Sequence, residues 1–217
     1  MEKYKILNLY ACLGGNRYKW DELADNLEIT AVELDPEAAR LYQERFPNDK
    51  VIVADAHQYL LDNYKEFDFI WSSPPCPSHS KARFWAFGKT MPVYPDMKLY
   101  QEILFLQHHC KTKWVVENVI PYYEPLIPAK KRDRHLYWCN FNLPSVLSKR
   151  SNSGSLNQKS VMQDLCDFHE YDFRKYKGTQ RVLKMARNLV DYEAGKTILQ
   201  TVLGIERKSN SSQISMF

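Results

Sequence analysis

The stretch with the most chemistry per residue is Ser73-Pro74-Pro75-Cys76-Pro77-Ser78-His79-Ser80. Three prolines around one thiol stiffen the loop, because each locks its own φ and restricts the residue before it. A nucleophile that must reach one defined atom needs such stiffness. A packing cysteine in a proline-rich turn is the competing reading. A free thiol titrates near about 8.5, so only a few per cent is thiolate at neutral pH, and Lys81, Arg83 or Arg134 could raise that fraction. Glu117-Asn118-Val119 closes a second apolar run ahead of Pro121. Buried there, the carboxyl group would keep its proton near neutrality and could donate to a ring nitrogen. The alternative is an ion pair with one of the many basic residues. Arg132 and Arg134 alternate along an extended segment and so point the same way. One could hold a carbonyl oxygen with the other supporting it, or both could belong to a solvated charge run.

Three upstream positions suit a ligand that contains a nucleoside. Leu13-Gly14-Gly15 follows an apolar run, and glycines there let the backbone approach a ligand or simply form a tight turn. Glu33 comes about 20 residues later, the spacing at which an acid accepts ribose hydroxyls in nucleoside-binding folds. Asp35, just before Pro36, reads as a helix cap. Asp55 could accept the exocyclic amine of an adenine or cap the helix that follows.

Alternating strands and helices must position these groups. Lys5–Tyr10, Ile29–Glu33, Val51–Ala54, Phe67–Ser72, a strand beginning at Trp114–Val116, and His135–Phe141 read as strands. Arg17–Asn26, Asp35–Phe46, His57–Asn63, Met97–Cys110, Arg181–Leu189 and Glu193–Leu203 read as helices. The short connections predict parallel βαβ units and an open sheet covered by helices on both faces. Ligands of such sheets bind beyond the carboxyl ends of the strands, where Gly15, Glu33, Asp55, Cys76 and Glu117 all fall. Ser145–Gln163 is rich in Ser, Asn and Lys and reads as a loop.

Composition excludes several classes. The chain has 217 residues, 44% of them hydrophobic, enough for one sizeable core. Only 7 glycines argue against a glycine-rich loop enzyme such as a P-loop NTPase. No apolar run is long enough to span a bilayer, and the N-terminus shows no secretory signal. An odd count of 5 cysteines does not suggest a disulfide framework, which points to a reducing cytoplasm. His108-His109-Cys110 and the Cys166/His169 pair do not complete a four-ligand set, so no metal is expected. The net charge of +4 is uneven: residues 128–187 hold 13 Lys/Arg against 5 Asp/Glu. A basic half on an acidic one suits a polyanion partner, or is a solvated lysine-rich surface.

Together the motifs resemble those of the DNA (cytosine-5) methyltransferases. The Phe-Ala-Gly-x-Gly-Gly motif appears as Tyr10-Ala11-Cys12-Leu13-Gly14-Gly15, and the acidic second motif as Glu33-Leu34-Asp35. Asp55 resembles the third-motif aspartate. Pro74-Pro75-Cys76, Glu117-Asn118-Val119 and Arg132-Asp133-Arg134 follow in the family order. Tyr10 stands for the usual Phe, Cys12 for a Gly, and the final Gly-Asn-Ala-Val motif departs to Arg187-Asn188-Leu189-Val190. The resemblance implies an α/β fold: a Rossmann-like, S-adenosylmethionine-dependent methyltransferase sheet with helices on both faces and a very small target-recognition region. It divides the chain into a catalytic and cofactor-binding core (1–143), the reduced recognition region (144–180), C-terminal helices completing the core (181–206) and a disordered tail (207–217).

The implied activity is that of a DNA (cytosine-5-)-methyltransferase using S-adenosyl-L-methionine. Cys76 would attack C6 of a cytosine flipped out of double-stranded DNA, Glu117 would serve N3 and the exocyclic amine, and Arg134 would hold O2 with Arg132 supporting. Asn118 belongs to the same catalytic set. Tyr10, Leu13, Gly14, Gly15, Glu33, Leu34, Asp55, Ala56, Pro74 and Asn188 would line the cofactor pocket. The basic half would contact phosphates. A cytoplasmic monomer of restriction–modification, phage or mobile-element type is expected. Three alternatives stay open. An exocyclic-amino methyltransferase would use Ser73-Pro74-Pro75 but wants an aromatic residue at position 76 to stack on the base. The same C5 chemistry could act on RNA. A non-catalytic binding module could retain the fold.

Overall fold

The computed structural model describes residues 2–85, 88–89, 91–148 and 158–206. Seven strands form one sheet: β1 (Tyr4–Leu9), β2 (Leu27–Glu33), β3 (Lys50–Val53), β4 (Phe69–Ser72), β5 (Lys113–Val119), β6 (Lys130–Arg132) and β7 (His135–Cys139). Their order is β3-β2-β1-β4-β5-β7-β6. The pairs from β3 through β5 are parallel, whereas β7 runs antiparallel to β5, with Val116 opposite Trp138. β6 is antiparallel to β7 in turn, which the expectation of parallel units alone did not foresee. The reason is local: β6 and β7 are joined by only Asp133 and Arg134, too short for a crossover and sufficient for a hairpin.

The expected helices are α1 (Pro36–Arg45), α2 (Ala56–Asn63) and α4 (Lys98–His109), with a short α3 (Ala82–Trp85) between the last two. They are followed by α5 (Gln158–His169), α6 (Val182–Asn188) and α7 (Tyr192–Val202). Alternate residues of the central strands serve opposite faces. Leu7, Leu9, Ile70 and Val116 pack under α2 and α4 through Leu60, Leu99, Ile103 and Leu106. Ile6, Phe69, Trp71 and Val115 pack under α7 through Ala194, Ile198 and Leu199. With both faces covered, the strands must read as nearly continuous apolar runs, and they do. The chain leaves β1 for β2 on one side, and β4 lies on the other, so a crevice opens beyond the carboxyl ends of β1 and β4.

Two stretches differ from expectation. Residues 17–26, expected as a helix, form turns and one 3₁₀ turn, Trp20–Glu22. Tertiary contacts override helical propensity here. Trp20 is fully buried, and the Arg17 guanidinium is held by Asp49 in a bidentate ion pair at 2.8 and 2.9 Å. The Tyr42 hydroxyl donates to the same carboxylate at 2.8 Å, and the Phe46 ring lies under the guanidinium. Removing one partner of a pair this deep leaves an uncompensated charge. Asp49→Ala is therefore expected to cost about 3–5 kcal/mol, measured by urea denaturation.

The loop expected over Ser145–Gln163 gives way to α5 from Gln158 onward. Leu165 and Cys166 of α5, with Phe173 and Tyr176, share a buried cluster with Leu13, Ala38 and Leu41. Much of the stretch assigned to target recognition from sequence thus packs against α1. Residues 149–157 and the tail 207–217 lie outside the described residues. α6 and α7 fall where helices were expected and close over the first turn. A Cβ on Gly195 would collide with the Asn16 carbonyl, so only glycine lets α7 approach this closely. No helix among the described residues is long and apolar enough to cross a membrane.

Candidate active site

A cavity of about 1040 Å³ occupies the crevice at the strand ends. That is at the upper end of small-molecule sites, which run to about 1,000 Å³. Its first half is built by the turn after β1. Tyr10 and Cys12 adopt left-handed φ values of 57° and 47°, and Gly14 follows at 69°. Non-glycine residues reach this region at a cost, so surrounding bonds must hold them. The Ala11 N–H donates to the Val32 carbonyl at 3.0 Å, and the Cys12 N–H donates to Glu33 Oε2 at 2.8 Å. The other Glu33 oxygen accepts the Asp35 N–H at 2.9 Å. Burial pushes the Glu33 carboxyl above its ordinary value, only partly offset by these two bonds. The Leu34 backbone bonds to the same carboxyl, and a further donor such as a ribose hydroxyl would stabilise the charged form.

Asp35 caps α1, accepting from the Glu37 and Ala38 N–H groups at 3.0 and 3.4 Å. The hydroxyl of Tyr176 bonds to its other oxygen. Asp55 caps α2 through the His57 and Gln58 N–H groups, and its second oxygen faces Lys98 Nζ at 3.4 Å. The capping readings of both residues therefore hold, and both also line the cavity. Gly15 lines it too, and a Cβ there would lie 2.6 Å from the Val190 carbonyl.

The second half joins the ends of β4 and β5. Cys76 and Glu117 line the same cavity, as do Pro74, Pro75, Asn118, Arg134 and His135. Asn118 Nδ2 donates to the Pro74 carbonyl at 2.9 Å, and Asn118 Oδ1 accepts from the Val119 N–H at 2.9 Å. One buried amide thus binds the Pro-Pro-Cys loop to β5. Beyond the thiol, the His79 and Ser80 N–H groups both donate to the Cys76 carbonyl at 3.0 Å. The Glu117 carboxyl is buried, and desolvation pushes it up to about 7 despite a bond from Ser73 and the charge of Arg134. His135 Nε2 lies 3.5 Å from Glu117 Oε1. Burial and the Arg134 charge push that imidazole down to about 4, so it is neutral near pH 7. Burial also raises the Cys76 thiol, and Glu117 raises it further, while Lys184 and Arg134 pull it down. The thiol and the acid therefore compete for one negative charge: a proton on Glu117 favours the thiolate of Cys76.

Most of the residues expected in the site face the cavity: Tyr10, Gly15, Glu33, Leu34, Asp55, Ala56, Pro74, Cys76, Glu117, Asn118, Arg134 and Asn188. Leu13, Gly14 and Arg132 do not line it. Leu13 is buried against α1 and the C-terminal helices, and Gly14 sits tightly against the rings of Tyr42 and Phe46. The Arg132 guanidinium donates to the carbonyls of Pro144, Lys131 and Leu143, which takes it to the chain after β7. The hairpin turn between β6 and β7 separates it from Arg134, with Asp133 at a φ of 49°. Of the cations expected near the thiol, Arg83 instead donates to the Met91 carbonyl at 3.2 Å. Sequence reading missed Thr179, Gln180, Lys184, Arg187 and His135. A signal was present for two of them: Lys184, Arg187 and Asn188 share one helix face at i, i+3 and i+4.

This sheet, with its crevice at the switch point and its carboxylate beyond β2, is a Rossmann-like α/β fold, and the family match makes it that of an S-adenosylmethionine-dependent methyltransferase. The family model of the C-5 cytosine-specific DNA methylases matches residues 4–120, and the chain belongs to that family. S-adenosylmethionine is the family's cofactor, and the Glu33 carboxyl beside the Gly15 backbone, both lining the cavity, fits its ribose and the chain that follows it. Among solved structures, a DNMT2 variant from Spodoptera frugiperda is similar at 15% identity and a TM-score of 0.55, covering 93% of this chain and 100% of that one. The Entamoeba histolytica methyltransferase EhMeth is similar at 8% identity and a TM-score of 0.52, covering 96% and 100%. A prophage-encoded DNA modification methyltransferase of E. coli matches at 17% identity and a TM-score of 0.40. That match covers 56% of this chain and only 34% of the length of the E. coli protein. No sequence among curated proteins matches the chain.

Proposed function

We propose that the chain methylates C5 of cytosine in double-stranded DNA through a covalent bond from Cys76. The observation that carries this reading is one cavity lined by both Cys76 and a buried, protonatable Glu117, with Asn118 joining the Pro74 carbonyl of the thiol's loop to β5. Cytosine C5 is a poor nucleophile. Addition of the Cys76 thiolate to C6, with a proton from Glu117 at N3, turns C5 into the carbon of an enamine. The bound cofactor supplies an electrophilic methyl group on its sulfonium. Once C5 carries the methyl group, water takes the C5 proton, the C6–S bond breaks with its electrons returning to Cys76 as thiolate, N3 gives its proton back to Glu117, and the ring regains aromaticity.

Each step asks something definite of the protein. A Glu117 carboxyl near pH 7 is matched to giving and regaining a proton at neutrality. Arg134 holds the O2 carbonyl, while Arg132 ties the hairpin that carries Arg134 to the 143–144 backbone. In the cofactor half, Glu33 takes the ribose, Gly15 and Asn188 flank the amino-acid moiety, and Leu34, Asp55 and Ala56 border the base. The target cytosine must leave the duplex to reach Cys76, and flipping costs a few kcal/mol. Lys184 and Arg187 at the cavity wall are placed to offset part of this through phosphate contacts.

Bisulfite sequencing of both DNA and RNA from a methylation-free host expressing the chain tests the substrate. Protected cytosines in DNA at a recurrent sequence are expected. Protection confined to RNA would move the same chemistry to the other nucleic acid, and protection in neither would remove the reading.

A further inference from the structure

The side chain of Glu102 on α4 lies behind the cofactor half of the cavity. It is 1% exposed, and no reading of the motifs includes it. A carboxylate this deep must be compensated by donors, because its lost hydration is otherwise too costly. Three converge on it. The Tyr10 hydroxyl donates to Oε1 at 2.5 Å, His57 Nδ1 lies 3.0 Å from the same oxygen, and the Ser72 hydroxyl donates to Oε2 at 2.6 Å.

Each donor comes from a different element, and each element delivers cavity residues at the adjoining position. Tyr10 lines the cavity itself at the end of β1. Ser72 ends β4 directly before Ser73 and Pro74, and His57 follows Asp55 and Ala56 at the start of α2. A single carboxylate therefore fastens the three segments that must keep their relative positions for one ligand to touch all of them. The Tyr10 bond also answers a local problem. The residue is held at a φ of 57°, which is unfavourable for an aromatic side chain, and its hydroxyl anchors the ring while the backbone stays there. The phenylalanine usual in the resembling motif could not make this bond.

We infer that Glu102 is the positioning residue of the cofactor pocket, acting through Tyr10, Ser72 and His57. The inference rests on the cofactor reading above and concerns how the pocket is kept in shape before ligand arrives. Preorganisation of this kind appears as affinity, since a loosened pocket must be reordered on binding.

The test is calorimetric titration of S-adenosylhomocysteine into the full chain and its Tyr10→Phe, Glu102→Gln and Ser72→Ala variants, with apo melting curves recorded beside it. Tyr10→Phe and Glu102→Gln are each expected to weaken binding about tenfold. The Tyr10→Phe/Glu102→Gln double variant is expected to be no worse than the weaker single variant by more than about twofold, because both remove one interaction. Ser72→Ala gives the sharpest readout. Ser72 does not line the cavity, so a severalfold loss there cannot come from a lost ligand contact. Folded variants that bind like the wild type, whatever their melting temperatures, would overturn the inference, as would fully multiplicative losses in the double variant. Failure of the wild-type chain to bind S-adenosylhomocysteine would instead overturn the cofactor reading on which it stands.

Discussion

Replacing Cys76 by serine is expected to lower methyl transfer by at least about 10⁴-fold, the scale on which enzymes lose activity when a nucleophile is removed. Serine keeps the size and the loop geometry but not the acidity. Its hydroxyl is far harder to ionise than a thiol, and the site already works against anions: burial and Glu117 both raise the Cys76 pKa. The measurement has two arms. Transfer of a labelled methyl group to an unmethylated duplex reports the rate. A duplex containing 5-fluorocytosine reports the bond itself, because fluorine at C5 cannot leave as a proton does and the enzyme stays attached to C6. A shifted band on a denaturing gel is expected for the wild type and not for Cys76→Ser. An unshifted wild-type band in the presence of cofactor would identify a binding module that retains the fold without the chemistry.

Glu117→Gln is expected to move rate and stability in opposite directions. The amide keeps the shape and one donor but cannot deliver a proton to N3, and general acid–base groups contribute about 10²–10⁴-fold. In the wild type, the protonated acid disappears as pH rises through about 7, so the rate of C6 addition gains little from further thiolate at alkaline pH. That alkaline limit should be absent from the glutamine variant. Stability follows from the same shift. The carboxyl titrates at 4.5 when exposed and about 7 in the folded chain, so the folded state binds the proton more tightly. Its favourable contribution is complete below about 4.5 and is lost as pH rises to about 7. This shift corresponds to about 3 kcal/mol at alkaline pH. Glutamine never carries the buried charge. Glu117→Gln should thus melt several degrees above the wild type at pH 8 and close to it near pH 4.5. Equal melting differences at both pH values would show that Glu117 is not held protonated by burial.

The two groups are linked through their shared charge. With Glu117 ionised, a second anion at Cys76 is opposed, whereas with Glu117 protonated that opposition is gone and the charges of Lys184 and Arg134 still favour the thiolate. The protonation state that the proposed chemistry requires is therefore also the one the electrostatics of the cavity favour. Asn118 maintains the relation by holding the Pro74 carbonyl, which keeps the proline-rich loop in register with β5.

Much of this architecture was legible in the amino-acid sequence. Runs such as Lys5–Tyr10 and Phe67–Ser72 mark strands buried on both faces, Asp35-Pro36 marks a capped helix, and the acids and thiol at the run ends fall where such a sheet binds ligands. These features are local, since they depend on residue type and spacing over a few positions. What depends on distant partners was not legible. Arg17 and Trp20 abandon a helix because Asp49 and the core claim them. Arg132 leaves the cavity because the 143–144 backbone offers carbonyls within its reach, and Lys184 enters it because α6 folds back across the strand ends. Glu102 looks like one more polar position of a helix until the fold brings Tyr10, His57 and Ser72 to its carboxylate. The sequence by itself determined six of the seven strands, the principal helices, and the placing of a thiol and an acid at neighbouring strand ends. Only the tertiary structure decided which charges meet, because burial and pairing arise between segments whose separation along the chain says nothing about their distance in space.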